Sequence, residues 1–321
     1  MKVLLVSESP VAGTILKFSE ALNRVSGIDC TPFVLKGYKN NSFDIDFGVM
    51  SVFENWPQLL SDRAREADVI IMHNIADNNI VELVMAYKKT NSFIGYHYHS
   101  PPFEAPLYTY SVLKQHPFDA IFCVAQGHAR FVENAIPVAN IIEDINLVEG
   151  GYRRNSVFLG HLRTTDARWS SKVPRGFYET LLKELKRSAV SVYDIKKLYG
   201  SETVSNKIFI NGLQSFSYVV DDVCSGLFHQ TSLEALKSGC ITFSAADEIS
   251  LESFCSAAEC PKPPFEQVGS PGEVIDRIEF YSRRANFLNK HIEENFSYSS
   301  KYLTKERLGN LFTKKLLHML S

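Results

Sequence analysis

Residues 217–245 read SYVVDDVCSGLFHQTSLEALKSGCITFSA. SYVVDDV is a short apolar run, the pattern of a buried parallel strand. A polar, glycine-bearing turn follows. SLEALKSG then has helical spacing and closes on Gly239, and CITFSA is a second apolar run. Strand, helix and strand in this order make a βαβ unit, which demands a parallel sheet and a right-handed crossover. In open parallel sheets, ligands bind beyond the carboxyl ends of the strands. Gly226 lets the turn approach a ligand closely. A helix starting near Gln230 to Ser232, with the Thr231 and Ser232 amides at its head, offers those amides and the positive end of its dipole to a phosphate. Glu234, read here as lying in the first turn, can accept hydrogen bonds from the vicinal hydroxyls of a sugar. Capping alone explains any one of these residues. It does not explain Gly226, Thr231, Ser232, Glu234 and Gly239 together.

The alternation extends outward in both directions. KVLLVS, TPFVL, DVIIMHN, SFIGYHYH and DAIFCVA read as strands before residue 150. Helical segments separate them, the first (TILKFSEALNRV) with Thr14 as its expected cap. GHARFVENA reads as a short helix. Beyond residue 150, NSVFLGH, VSVYDI and KIFIN read as further strands, and RGFYETLLKELKRS as an amphipathic helix. SPGEVIDRIEFYSRRANFLNKHIEEN reads as one long helix with a Ser-Pro start. FSYSS is expected to break it ahead of a last helix in KYLTKERLGNLFTKKLLHML. The chain of 321 residues exceeds one ordinary core. The Gly150–Gly151 pair marks the expected division into residues 1–150 and 151–321.

Composition narrows the function classes. The formal net charge is -2, so nothing suggests a nucleic-acid partner. No run reaches the ~20 apolar residues of a membrane helix, and Glu8 interrupts the N-terminal apolar run too early for a signal peptide. The six cysteines form no Cys-x-x-Cys pair. No metal is expected, and a reducing, cytoplasmic setting is.

Three more strand ends carry chemistry. After the first strand, SESPVAGT brings Ala12 and Gly13 to a turn whose backbone can approach a phosphate or sugar. It is neither a dinucleotide fingerprint nor a Walker loop. After SFIGY comes HYHSPP. His97 and His99 are two residues apart and share a face of an extended chain. They suit orienting hydroxyls or stabilising developing charge, but a metal would need a third ligand that the sequence does not name. His73 and His128 stand alone near other strand ends. After NSVFL comes GHLRTTDARWSSKVPRG, where His161, Arg163, Arg168, Lys172 and Arg175 face only Asp166. Such a cationic loop suits a diphosphate. In VDDV, Asp221 and Asp222 are expected on opposite faces of their strand.

TSLEALKSGCITFSAADE resembles the donor-site helix of GT-B glycosyltransferases, particularly the family 4 group with its Leu-Glu-Ala-hydrophobic-x-x-Gly sequence. VFLGHLR through KVPRG, MKVLLVSESPVAG and ENFSYSSKYLTKERLGNLF resemble other segments of that family. The resemblance implies two Rossmann-like α/β domains facing across a cleft, the C-terminal helix returning to the N-terminal domain. It implies metal- and cofactor-independent, retaining transfer of a sugar from a UDP- or GDP-sugar to an acceptor hydroxyl of a glycan or lipid-linked acceptor. That places the protein in polysaccharide biosynthesis in the cytoplasm, at or near the inner membrane face. Glu234 matches the second glutamate of the family's Glu, seven residues, Glu motif. Gly226 stands where the first would be, and His161 where an arginine would be, with Arg163 as its substitute. Lys172, or alternatively Arg175, matches the phosphate-binding lysine, and His99 the histidine that faces the donor sugar. A non-catalytic binding protein and a nucleotide-sugar epimerase or sugar phosphorylase are the alternatives on the same fold.

Overall fold

The computed structural model describes residues 1–9, 13–35, 55–100, 107–145, 154–160, 175–187, 190–200, 204 and 206–320. The chain divides into two compact units. Met1–Ile141 joins Lys305–Ser321, and Ile142–Thr304 forms the other. The division thus falls ahead of the Gly150–Gly151 pair.

The first unit is built on a six-stranded sheet. Its strands are β1 (Lys2–Ser7), β2 (Asp29–Val34), β3 (Val69–His73), β4 (Phe93–Tyr98), β5 (Ala120–Val124) and β6 (Ile136–Val138). Their order is β2-β1-β3-β4-β5-β6, and every pair is parallel. All five residues of β3 are buried, which is why VIIMH carries no alternation: both faces are covered. Four helices follow strands: α1 (Thr14–Asn23), α2 (Trp56–Glu66), α3 (Asn78–Tyr87) and α4 (Leu107–Gln115). The stretch GHARFVENA forms only a 3-10 turn, His128–Phe131, before β6.

The second unit holds β7 (Arg154–Leu159), β8 (Ser191–Tyr193), β9 (Phe216–Val220), β10 (Ile241–Ser244) and β11 (Glu266–Gln267). The order is β11-β10-β9-β7-β8, again all parallel. Its helices are α5 (Arg175–Arg187), α6 (Ile195–Tyr199), α7 (Asn206–Leu213), α8 (Gln230–Lys237), α9 (Glu248–Ala258), α10 (Pro271–Ser282) and α11 (Ala285–Tyr302). The last helix, α12 (Lys305–Leu320), belongs to the first unit and packs on α1. Gly309 is what lets it approach: a Cβ there would sit 2.7 Å from that of Ala21. At its start the buried Lys305 pairs with Glu20.

Four further sequence expectations change. KIFIN is not a strand but the middle of α7, whose buried Phe209, Ile210 and Leu213 lie on one helical face. The long segment from Ser270 is two helices, broken at Arg283–Arg284. FSYSS does not break it. Tyr298 and Ser299 are buried within α11, and the break comes at Leu303–Thr304. The cap of α1 is Gly13, in the left-handed conformation at φ 65°, rather than Thr14, which is the first helical residue.

In each sheet, one strand sits between two neighbours reached by crossovers in opposite directions. That topological switch point opens a crevice at the carboxyl ends of the strands. In the first unit it lies between β1 and β3, and in the second between β7 and β9.

Candidate functional site

The switch point of the second unit is where the opening stretch of sequence folds. β9 ends at Val220, so Asp221 and Asp222 lie just beyond it and escape strand alternation. Their carboxylates do not point to opposite faces. Both come to His229, at 3.7 and 3.8 Å from its Nδ1, and both aspartates are fully buried. Asp222 closes the turn after the strand by accepting from the backbone amides of Cys224 and Ser225. Asp221 accepts from the amide of His229 at 2.9 Å and from the hydroxyl of Ser232.

His229 is the N-cap of α8, and Gln230 its first residue. Two expectations therefore change. The amide of Ser232 is engaged by the carbonyl of His229 at 3.0 Å, and its hydroxyl holds Asp221. Ser232 is part of the frame, and the helix head itself is formed by Gln230 and Thr231, whose amides have no preceding carbonyl within the helix. Glu234 is the fifth residue of α8, beyond its first turn. It is buried, and its Oε1 accepts from the side-chain amides of Gln230 at 2.6 Å and Asn206 at 3.0 Å. Helix α8 ends in a Schellman arrangement. Gly239, at φ 75°, bonds the carbonyl of Leu236, and Cys240 that of Ala235. From there the chain enters β10, and the buried amide of Asn295 holds the carbonyl of Cys240.

β7 ends at the same place. Gly160 donates to the carbonyl of Val220 at 2.7 Å. A Cβ on Gly160 would lie 2.9 Å from the methyl of Thr231 and 3.4 Å from Asp221 Oδ1. Gly160, Asp221 and Thr231 thus share one corner, which only glycine admits. Gly226 lies close by in sequence, at φ 76°, with Asp247 Oδ2 only 2.7 Å from where its Cβ would be. Asp247 caps α9 through the amide of Ser250. A glutamate at 226, as in the resembled family, has no room while Asp247 holds that place. Ala12, Arg163 and Lys172 lie outside the described residues.

The switch point of the first unit has different chemistry. The β3–β4 register sets His73 directly beside His97, and His99 follows two residues on. The ring centroids of His97 and His99 are 4.1 Å apart, those of His73 and His97 5.0 Å. His73 Nδ1 lies 3.0 Å from His99 Nε2. His73 is therefore not isolated, contrary to the sequence reading. Phe18 of α1 and Phe312 of α12 pack against His97. Burial strips these rings of water and holds them neutral: the pKa of His99 falls to about 3, and those of His73 and His97 also fall well below the ordinary value. As neutral rings they orient by hydrogen bonding rather than by charge. His73, Asn74 and His99 line a small cavity with Ser7, Thr14 and Ile15, so the turn at Gly13 and His99 meet at one strand edge. Glu8 secures the same edge, accepting from the amides of Ala76 and Asp77.

Sequence reasoning named His73 but read it as standing alone, took Gln230 only as part of the helix start, and missed His229 and Asn206. His73 had a signal, its place at a strand end. The others are found only once the strand order is known.

No family model matches the sequence, and no curated protein matches it. Solved structures do. Anabaena HepE, solved with UDP and glucose, superposes with a TM-score of 0.64 at 13% identity, covering 99% of this chain and 100% of its own. An alpha-glucosyltransferase solved with UDP and mismatched DNA gives 0.65 at 12% identity, covering 100% and 99%. UDP-GlcNAc 2-epimerase from Neisseria meningitidis, bound to UDP-GlcNAc, gives 0.50 at 13% identity, covering 99% and 100%. With its two parallel sheets and the returning C-terminal helix, this chain has the GT-B fold of glycosyltransferases and of UDP-sugar epimerases.

Proposed function

We propose that the protein transfers a glycosyl unit from a nucleotide sugar to an acceptor hydroxyl. The observation that carries this reading is the corner of the second unit where Gly160, Asp221 and Thr231 meet at the head of α8. A side-chain-free strand end and a helix head at a topological switch point make a site for a nucleotide diphosphate. Structures of the same fold hold UDP and UDP-glucose, which makes a UDP-sugar the first donor to try. Glu234, fixed by Asn206 and Gln230, receives the ribose. Arg163 and Lys172 neutralise the phosphates. That charge helps the leaving nucleotide depart without a metal at the diphosphate.

The first unit contributes His99. Its neutral ring, beside that of His73, orients a sugar or acceptor hydroxyl at the strand edge near Gly13. The second unit, Ile142–Thr304, is the donor side, and the first the acceptor side. A glycan or lipid-linked acceptor, retention of configuration and a cytoplasmic place in polysaccharide synthesis complete the proposal. Among the described residues, no helix is long and apolar enough to cross a membrane.

Calorimetric titration with UDP and UDP-sugars, followed by assay of UDP release with and without an acceptor, tests the reading. Acceptor-dependent release supports transfer. Binding without release supports a non-catalytic binder. The epimerase reading is favoured by the fold match to UDP-GlcNAc 2-epimerase, and an inverted donor recovered without acceptor would establish it.

A further inference from the structure

We propose that His73, His97 and His99 form a binding site for a divalent transition metal of the zinc class at the carboxyl edge of the six-stranded sheet. Each ring offers one nitrogen, and the three nitrogens lie within 4.8 Å of one another. Two ligands on a tetrahedral zinc, with Zn–N bonds of about 2.0–2.1 Å, have nitrogens roughly 3.4 Å apart. The 3.0 Å between His73 Nδ1 and His99 Nε2 is near that spacing, and modest ring rotations bring the third nitrogen in. The fold, rather than the sequence, supplies this third ligand through the register of β3 on β4.

A plain hydrogen bond between His73 and His99 is the competing account, and it leaves too much unexplained. His97 is fully buried, and neither of its ring nitrogens has a hydrogen-bond partner; nor has His73 Nε2. Buried polar atoms are nearly always paired. A metal would engage His97 directly. The rings are neutral, which is the form that ligates. Three imidazoles without a carboxylate suit zinc, cobalt, nickel or copper and do not suit magnesium or calcium, which want oxygen. Phe18, Phe122 and Phe312 pack around His97 and shield it from water. On the other side, Ser7, Thr14, Ile15 and Asn74 line the small cavity beside His73 and His99, three of the four bringing polar side chains. With His73 and His99 in the wall of that cavity, three protein ligands leave a fourth position open toward it for a water or a ligand oxygen, the arrangement of zinc sites that do chemistry rather than those that only hold a fold together.

This inference does not rest on the glycosyl-transfer reading. The 321-residue chain, stripped of metal with a chelator, is titrated with Co(II). The expected result is visible d–d absorption of tetrahedral cobalt that saturates at one metal per chain and is displaced by Zn(II). Zn(II) should raise the melting temperature, and Mg(II) should not. His97→Gln and His73→Gln should lose the cobalt bands while keeping the wild-type far-ultraviolet dichroism. If either misfolds, His99→Gln, at the edge of the cluster, is read in its place. No band in the wild-type chain, or bands that persist in the glutamine variants, would overturn the proposal. UDP affinity, measured alongside, enters neither outcome.

Discussion

The two switch points of this chain share a topology and almost nothing else. At each, a strand end, a following turn and a helix head meet beyond a parallel sheet. In the first unit the crevice is lined by three neutral imidazoles and aromatic rings. In the second it holds two buried carboxylates, a histidine cap and a hydroxyl at a helix head. The backbone thus makes a place for a ligand in both, and the side chains decide which ligand. Neutral rings suit a hydroxyl or a soft cation. A helix head beside a glycine corner suits an anion, and in the proposed reading the cationic loop expected at Arg163 and Lys172 would supply the balancing charge.

Asp221 is the place to break the second site hardest. Its buried carboxylate satisfies the amide of His229 and the hydroxyl of Ser232, so it holds the helix head in position. Asp221→Ala strands both donors. Each unpaired buried donor costs about 1–3 kcal/mol, so a loss near 3 kcal/mol is expected. Urea unfolding followed by circular dichroism measures it. A loss below about 1 kcal/mol would mean that the helix head stands without its carboxylate.

Glu234→Ala comes next. If this carboxylate receives a ribose, its removal should weaken UDP binding by about 1.5–3 kcal/mol, the worth of hydrogen bonds to a charged group. Because Asn206 and Gln230 lose their acceptor, some stability should be lost as well. Calorimetry with UDP separates the two effects. A folded variant that binds UDP as tightly as the wild type would leave Glu234 as an internal clamp between α7 and α8.

These residues also show what the sequence could and could not disclose. β1 was legible because KVLLVS is apolar throughout and ends at polar residues, and its bounds match the fold. The βαβ unit around α8 was legible for the same reason, with Gly239 closing the helix. KIFIN was misread because five residues with two isoleucines fit a strand as well as a helix. Only when the window reaches Leu213 do the buried positions show a helical face. Glu234 was recognised, but its clamp was not, since Asn206 lies 28 residues away. The histidine cluster was half seen. His97 and His99 share a strand, whereas His73 joins them through a pairing register that no local pattern encodes. Ala12, Arg163 and Lys172 lie outside the described residues, so their roles rest on sequence alone.

A smaller effect sharpens the comparison with the resembled family. Gly226→Glu restores the glutamate of the two-glutamate motif. The backbone there is left-handed, and Asp247 fills the space a side chain needs. A non-glycine residue in that conformation costs about 1–2 kcal/mol, and the two carboxylates would repel. Reduced stability with no gain in UDP affinity is expected. A tighter-binding, equally stable variant would show that Asp247 yields its place readily and that the family geometry is within reach.

The smallest expected effect on nucleotide binding is none at all, and it belongs to His99→Ala. The histidine lies at the edge of the first unit's sheet among neutral rings; its ring meets His73 and His97, and its backbone amide donates to Asn74 Oδ1. If the nucleotide is held by the second unit, removing His99 leaves its contacts whole, and the UDP dissociation constant stays at the wild-type value. Turnover is another matter. An interaction made with the reacting sugar in the transition state vanishes, and losses of about 10²-fold in kcat are typical for one such donor. A variant that loses kcat without losing nucleotide affinity has lost an interaction specific to the transition state. UDP titration and steady-state kinetics on the same preparation decide the matter. If His99→Ala abolished UDP binding while Glu234→Ala bound normally, the roles assigned to the two switch points would be reversed, and the neutral cluster would be the nucleotide site.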